Sequence, residues 1–343
     1  MSKSAKAWQL ASDITQPIPP EVVPLVTWFE KQVDARDRFR WALRDSLDEL
    51  LDGQRTGRWC YQHLTKTEKT YLGTAVEVNL TKEFEIENGT DLDWRIANVD
   101  VDCKFSKDLG GWEIPMEMYV CADHGERSGI ADHPALLVWF NDDASEWAAG
   151  IVTISDERLR WKPAKGPQVR ARAYNRDNKR KIDPDHAGGI HWLWGGLQTD
   201  LPRNHIRNLP DDARSRIFAF PKSGQKRVDQ LFREVQGRIV GRQTVLTVAQ
   251  QDDAPKRARD ARLRLRDEGV IVLGHQKEHS MIASALGLTA PIKGEWIAVR
   301  VKRARTHLPD AFEADGAWWT LAKDSDPPEP APDLSQDATS GKS

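Results

Sequence analysis

The segment Val99-Asp100-Val101-Asp102-Cys103-Lys104-Phe105 constrains the fold most. Apolar and charged residues alternate strictly along it, which is the period of a β-strand with one face turned inward. Residues 92–105 read as one strand after an Asn88-Gly89 turn. Upstream, Leu72, Ala75, Val76, Leu80 and Phe84 recur at helical spacing and predict a helix over 65–84, although the Val76-Glu77-Val78 centre also suits a strand. Trp28, Phe29, Val33, Phe39, Trp41, Leu43, Leu47, Leu50 and Leu51 predict another over 21–54, ended by Gly53. Downstream, the apolar runs Ala135–Phe140 and Gly150–Ile154 suit central strands. The front of the chain is therefore mixed α/β.

At 343 residues the chain is too long for one core, since single cores stop growing at roughly 250–300 residues. Its charge divides with it. Residues 1–150 carry 16 Lys and Arg against 27 Asp and Glu, whereas residues 151–310 carry 32 against 18. Residues 311–343 carry 2 against 7. The formal net charge of −2 is thus a cancellation between an acidic front, a basic rear and an acidic tail. Ala135–Phe140 is the longest apolar run and falls far short of the ~20 residues of a membrane helix. Residues 1–20 lack an apolar targeting segment. Cys60, Cys103 and Cys121 make no disulfide framework, which points to a reducing, cytoplasmic setting. Cys121 and His124 have ligand-like spacing but no second pair, which argues against structural zinc.

The basic rear begins with a polar stretch over 162–185, rich in Lys and Arg, that reads as a linker or basic loop. Helices are predicted near Lys226–Arg238, Gln243–Gln250 and Ala254–Glu268, and strands at Val270–Leu273, Trp296–Val301 and Trp318–Leu321. In the third helix Asp253 is placed to cap and Pro255 suits the first turn. Ala258, Ala261 and Leu265 form a narrow apolar stripe, and arginines cover the rest. Two helices and a following strand have the order of a helix-turn-helix with a wing. Lys256, Arg257, Arg259 and Arg262 on that helix, with Lys302 and Arg303, are the candidate DNA contacts. The bland reading of the same helix is a solvated face pairing with Asp260, Asp267 and Glu268. The regional charge favours nucleic acid. The 14 tryptophans read mainly as core, and His191, His275 and His279 as surface or satisfied polar residues. From Asp324 the chain is Pro-, Asp- and Ser-rich and reads as a disordered tail.

The chemistry centres on Asp102 and Lys104. On a strand they project from one face, ~7 Å apart along the chain. A carboxylate and an ammonium so placed can hold a divalent cation and a water against a phosphodiester, with Glu77 and Asp93 as further carboxylates. Spacing alone supports equally a solvated strand face bearing an ion pair. Lys66 and Lys69 are placed to touch phosphate or to pair with Glu68.

The runs Asp52-Gly-Gln-Arg-Thr-Gly-Arg58 and Lys66-Thr-Glu-Lys-Thr70, with Gly73-Thr74, lead into Glu77. Asp93 follows sixteen residues later, and Asp102-Cys103-Lys104 begins nine after that. Over roughly residues 20–320 the chain resembles the NaeI-type, type IIE restriction endonucleases, with a longer acidic tail. That resemblance implies a PD-(D/E)xK endonuclease-like domain over 1–170. It implies a winged-helix domain of the catabolite-activator-protein kind over 171–324, followed by the tail at 325–343. It implies Glu77, Asp93 and Asp102 as metal-site carboxylates, Lys104 as the catalytic lysine, and Mg2+ as cofactor. It further implies a homodimer that cuts double-stranded DNA at a GC-rich palindrome such as GCCGGC and is activated by a second DNA copy. The rival readings are a winged-helix DNA-binding regulator with a non-catalytic N-terminal domain, and a degenerate endonuclease-like protein.

Overall fold

The computed structural model describes residues 7–8, 10, 17–121, 128–162, 170–306 and 308–334. The chain is mixed α/β and divides into two compact units, Met1–Leu50 with Leu64–Arg203, and Leu51–His63 with Asn204–Ser343.

In the first unit, helices α1 (Val23–Lys31) and α2 (Ala35–Leu51) stand where one helix was expected. Asp34, at φ +52°, breaks the path between them. Helix α3 (Lys66–Phe84) begins at a capping box. The Thr65 hydroxyl accepts the Glu68 N–H and the Glu68 carboxylate accepts the Thr65 N–H. Leu72, Ala75, Val76, Leu80 and Phe84 are its buried face, as their spacing predicts. Six strands follow: β1 (Glu87–Asn88), β2 (Trp94–Ile96), β3 (Val99–Ser106), β4 (Pro134–Asn141), β5 (Glu146–Thr153) and β6 (His191–Trp192). They lie side by side in that order, antiparallel except for β3 with β4. The expected single strand over 92–105 is a hairpin. Ala97 and Asn98 turn it at φ +50° and +65°, the left-handed pair that matches strand twist in a two-residue hairpin. Strand β4 is buried on both faces, which accounts for its unbroken apolar run. One face packs on Trp112, Ile182 and Trp192, while α3 lies against β3.

The stretch over 162–185 is no linker where it is described. Trp161–Lys162 pairs with Ala171–Arg172, and Glu113–Ile114 with Arg180–Lys181. Arg180 is fully buried among the Tyr119, Trp161 and Tyr174 rings. It and Arg172 both bind the Asp156 carboxylate. Lys165 lies outside the described residues, as do His124 and residues 335–343.

The second unit contains α4 (Asp211–Phe218), α5 (Gly224–Glu234), α6 (Arg242–Ala249), α7 (Ala254–Arg264) and α8 (Lys277–Ala285). Its sheet joins β7 (Ile239–Gly241), β8 (Val270–Leu273), β9 (Glu295–Ala304), β10 (Ala311–Ala314) and β11 (Ala317–Leu321), with β9 central. Segment 51–63 belongs to this unit. Gly53 opens a one-turn helix, Gly53–Thr56, that packs on α6; the break before it falls at Asp52, φ +44°. Gly53 is needed for closeness: a Cβ there would overlap the Thr247 hydroxyl and stand 2.9 Å from the Arg58 carbonyl.

Residues 324–334, expected as part of the tail, run along the second unit. Ala331 is 1% exposed and its carbonyl accepts the Arg266 Nε–H at 2.8 Å. Lys302 is ion-paired with Asp326 at 2.8 Å.

Candidate active site

Strand β3 carries the site because its pairing is central. Asp102 stands opposite Ala135 and Lys104 opposite Leu137 in the parallel β3–β4 ladder. Asp102 is 3% exposed, so the charged face of the strand is not solvated at this point. Its Oδ2 lies 2.5 Å from Lys104 Nζ, and Lys104 is partly open to solvent. Two residues apart on a strand, the two side chains share a face, and the ion pair follows from that geometry.

Asp93 enters from the loop before β2. Its Oδ2 accepts the Cys103 N–H at 3.2 Å, which puts its carboxyl beside Asp102. That loop is held by Asp100, whose Oδ2 accepts the N–H groups of Thr90 at 3.0 Å and Asp91 at 2.9 Å. Asp100 thus has a structural task, whereas Asp102 has none that its burial explains. Glu77 projects from α3, half-buried. Burial pushes its carboxyl up, the Asp93 charge adds to this, and the Lys104 ammonium opposes it. The four residues singled out by spacing are therefore electrostatic neighbours.

Asp102 shows the largest consequence. Burial first, then the neighbouring Asp93 carboxyl, push it up to about 8 against the pull of Lys104. The Cys103 thiol, fully enclosed, is pushed up as well. Asp102 Oδ1 is buried and accepts no hydrogen bond, and a proton held on Asp102 is shared with the Asp93 carboxyl. Among the described residues no group of three or more His, Cys, Asp or Glu side chains stands gathered as a metal cage. The donor set still suits Mg2+, which takes one or two carboxylates and keeps its waters. An orphaned carboxylate oxygen beside a second carboxyl offers such a ligand.

The candidate DNA contacts divide between α7 and β9. On α7, Lys256 and Arg259 are exposed. Arg257 is ion-paired to Asp253 at 3.0 Å, so Asp253 holds a side chain and makes no cap bond. Arg262 donates to the Val272 carbonyl at 2.8 Å. On β9, Lys302 is held by Asp326, while the Arg303 guanidinium lies over Trp319 at 5.3 Å. Ala258, Ala261 and Leu265 are buried as the stripe required. His279 is buried, its Nδ1 accepting the Gly274 N–H at 3.1 Å, and His275 is exposed. The three cysteines are free and buried.

Sequence reasoning also missed the buried charge network around Arg44. Arg44 binds Asp48 on its own helix and Asp142 at 2.6 Å. The i,i+4 spacing to Asp48 was visible, but Asp142 arrives only with the tertiary fold. Burial, with the Asp48 charge, lifts neighbouring Asp45 to about 6.

No helix of the described residues is long and apolar enough to cross a membrane. The family model for restriction endonuclease NaeI matches residues 26–330. The type II restriction enzyme NaeI of Lentzea aerocolonigenes is 41% identical over 308 residues, covering 86% of this chain and 88% of that protein. Both matches span the α3–β3 site and most of the second unit, and on them the chain belongs to the NaeI restriction endonuclease family.

Proposed function

We propose that this endonuclease hydrolyses DNA phosphodiesters with Mg2+ at the Glu77, Asp93, Asp102 and Lys104 site. Family membership makes it a site-specific deoxyribonuclease. The observation that carries the finer reading is buried Asp102, ion-paired to Lys104, with Oδ1 lacking a partner. Burying a carboxylate is costly without compensation, and Lys104 compensates this one at Oδ2 only. Glu77, Asp93 and Asp102 would hold the cation. When bound, Mg2+ supplies charge for the phosphate oxygens and acidifies water. Lys104, open on one side, orients the attacking water or offsets charge developing on the phosphate. Asp93 is fixed by the Cys103 N–H, so it meets a ligand without rearranging.

The first unit is read as a PD-(D/E)xK endonuclease-like domain. The second is read as a winged-helix domain for an effector DNA copy. The α6–α7 succession, followed by β8 and the β9–β11 strands, supports that order. A homodimer cutting a GC-rich palindrome such as GCCGGC, in the cytoplasm, completes the proposal, because a two-fold site is read by a two-fold protein.

Plasmid cleavage with Mg2+ tests it. Lys104→Ala should abolish cutting while leaving binding of the same duplex intact. A short duplex bearing the site, added in trans, should accelerate the wild type. Equal cutting by wild type and variant sinks the assignment of Lys104. Lack of acceleration sinks the two-copy part.

A further inference from the structure

Glu77 and the Asp93–Asp102 pair reach the site from different elements, and a partly buried hydrogen-bond relay joins those elements. The Trp94 indole Nε1–H donates to Thr81 Oγ1 at 2.8 Å. The Thr81 hydroxyl donates in turn to the Glu77 carbonyl oxygen, also at 2.8 Å. The indole N–H can only donate and the carbonyl can only accept, so the hydroxyl proton is committed and the relay has a single direction. Trp94 is 1% exposed, directly follows Asp93, and pairs with Val101, the neighbour of Asp102. Thr81 stands one turn after Glu77 on α3, close to the helix end at Phe84. Around it the last turn closes on the Thr81 carbonyl, which accepts the Ile86 N–H at 3.0 Å.

We infer that Thr81 and Trp94 are positioning residues for the metal-site carboxylates. They set how far the Glu77 turn of α3 stands from the hairpin bearing Asp93 and Asp102. A Trp buried in a core needs only a hydrophobic surround and some acceptor for its N–H. Here the acceptor is a hydroxyl that passes the bond to the backbone of the residue carrying the third carboxylate. Partners of this outer kind orient the groups that touch a metal, and their loss lowers metal affinity or activity roughly 10–100-fold. The inference rests on the proposed Mg2+ site.

Thr81→Val keeps the shape and deletes both bonds; Thr81→Ser keeps the hydroxyl; Trp94→Phe deletes the indole donor together with part of the buried ring, so Thr81→Val is the decisive variant. Two readouts are taken on the full chain. One is the Mg2+ concentration for half-maximal cleavage of duplex DNA. The other is Mn2+ binding to the DNA-free protein, followed by electron paramagnetic resonance. Thr81→Val and Trp94→Phe should raise the half-maximal Mg2+ concentration and weaken Mn2+ binding roughly tenfold. KM for DNA should hold, and Thr81→Ser should return both readouts to wild type. Unchanged metal dependence in Thr81→Val overturns the inference. So does a loss that Thr81→Ser fails to restore. A wild type that cuts no duplex overturns the nuclease site itself, and this inference falls with it. A wild type that cuts while Thr81→Val cuts identically refutes the relay alone.

Discussion

Replacing Asp102 by Asn should stabilise the protein, and should do so only at higher pH. Burial and the neighbouring Asp93 carboxyl push this group up to about 8 in the fold, against an ordinary value of 3.8. Between those two pH values the folded protein keeps a proton that the unfolded chain releases. Stability therefore falls as pH rises, by at most about 1.4 kcal/mol per pH unit. Below pH 4 both states are protonated and the cost is absent. At pH 7 it has grown to on the order of 4 kcal/mol. Asn resembles the protonated acid in shape and never ionises, so its advantage should follow the same curve. Glu77 is shifted upward too, but it is present in both proteins and cancels in the difference. The measurement is urea unfolding of wild type and Asp102→Asn from pH 4 to pH 9, without divalent cations. The two should coincide near pH 4 and diverge steadily to pH 8. A pH-independent difference would refute the reasoning, because Asp102 would then carry no raised pKa. The same proton competes with a cation, so the Mg2+ requirement for cleavage should ease as pH rises towards 8.

Four further outcomes are expected. Gly53→Ala should cost about 1–3 kcal/mol in denaturant unfolding, since the added methyl meets Thr247 and the Arg58 carbonyl. Arg180→Met should cost about 3–5 kcal/mol, because a buried guanidinium that satisfies Asp156 and the Leu159 and Arg160 carbonyls is lost; equal stability would show those acceptors satisfied without it. Lys256→Ala and Arg259→Ala should each lower the salt slope of DNA binding by about 1 and leave unfolding unchanged. Arg262→Ala should instead destabilise, by about 1–2 kcal/mol, through its bond to Val272.

Helix α3 was legible because everything that makes it is local. Thr65 and Glu68 stand three apart, and the apolar residues recur on one face. The Ala97-Asn98 turn was not legible, because a non-glycine residue at φ +50° carries no composition signal and is held there by the strands it joins. Gly53 misled for the opposite reason: glycine marks both helix ends and close approaches, and only the fold brings Thr247 to it. Within the site, the Asp102–Lys104 pair was legible from strand period alone. Its burial was not. That depends on pairing with Ala135, more than thirty residues away, and on α3 lying against β3. Asp93 was marked by spacing and resemblance, but its anchor is a backbone N–H that no side-chain pattern encodes.

The two basic stretches show why charge density misreads cation availability. Over 162–185 a high density of Arg and Lys reads as a linker or basic loop. There Arg172 and Arg180 turn inward onto Asp156, which precedes them in sequence by 16 and 24 residues. On α7 an equally dense run lies over an apolar stripe of Ala258, Ala261 and Leu265, which fixes the helix face that must be buried. Asp253 and the Val272 carbonyl then engage Arg257 and Arg262, leaving Lys256 and Arg259 exposed, with no ion pair among the described residues. A cation is available to DNA when no acid or carbonyl of its own unit folds onto it, because a paired guanidinium must first give up that bond. The basic excess of the rear half is therefore an upper bound on its phosphate-facing charge. The DNA-facing charge of α7 should be sought at Lys256 and Arg259 before Arg257 or Arg262.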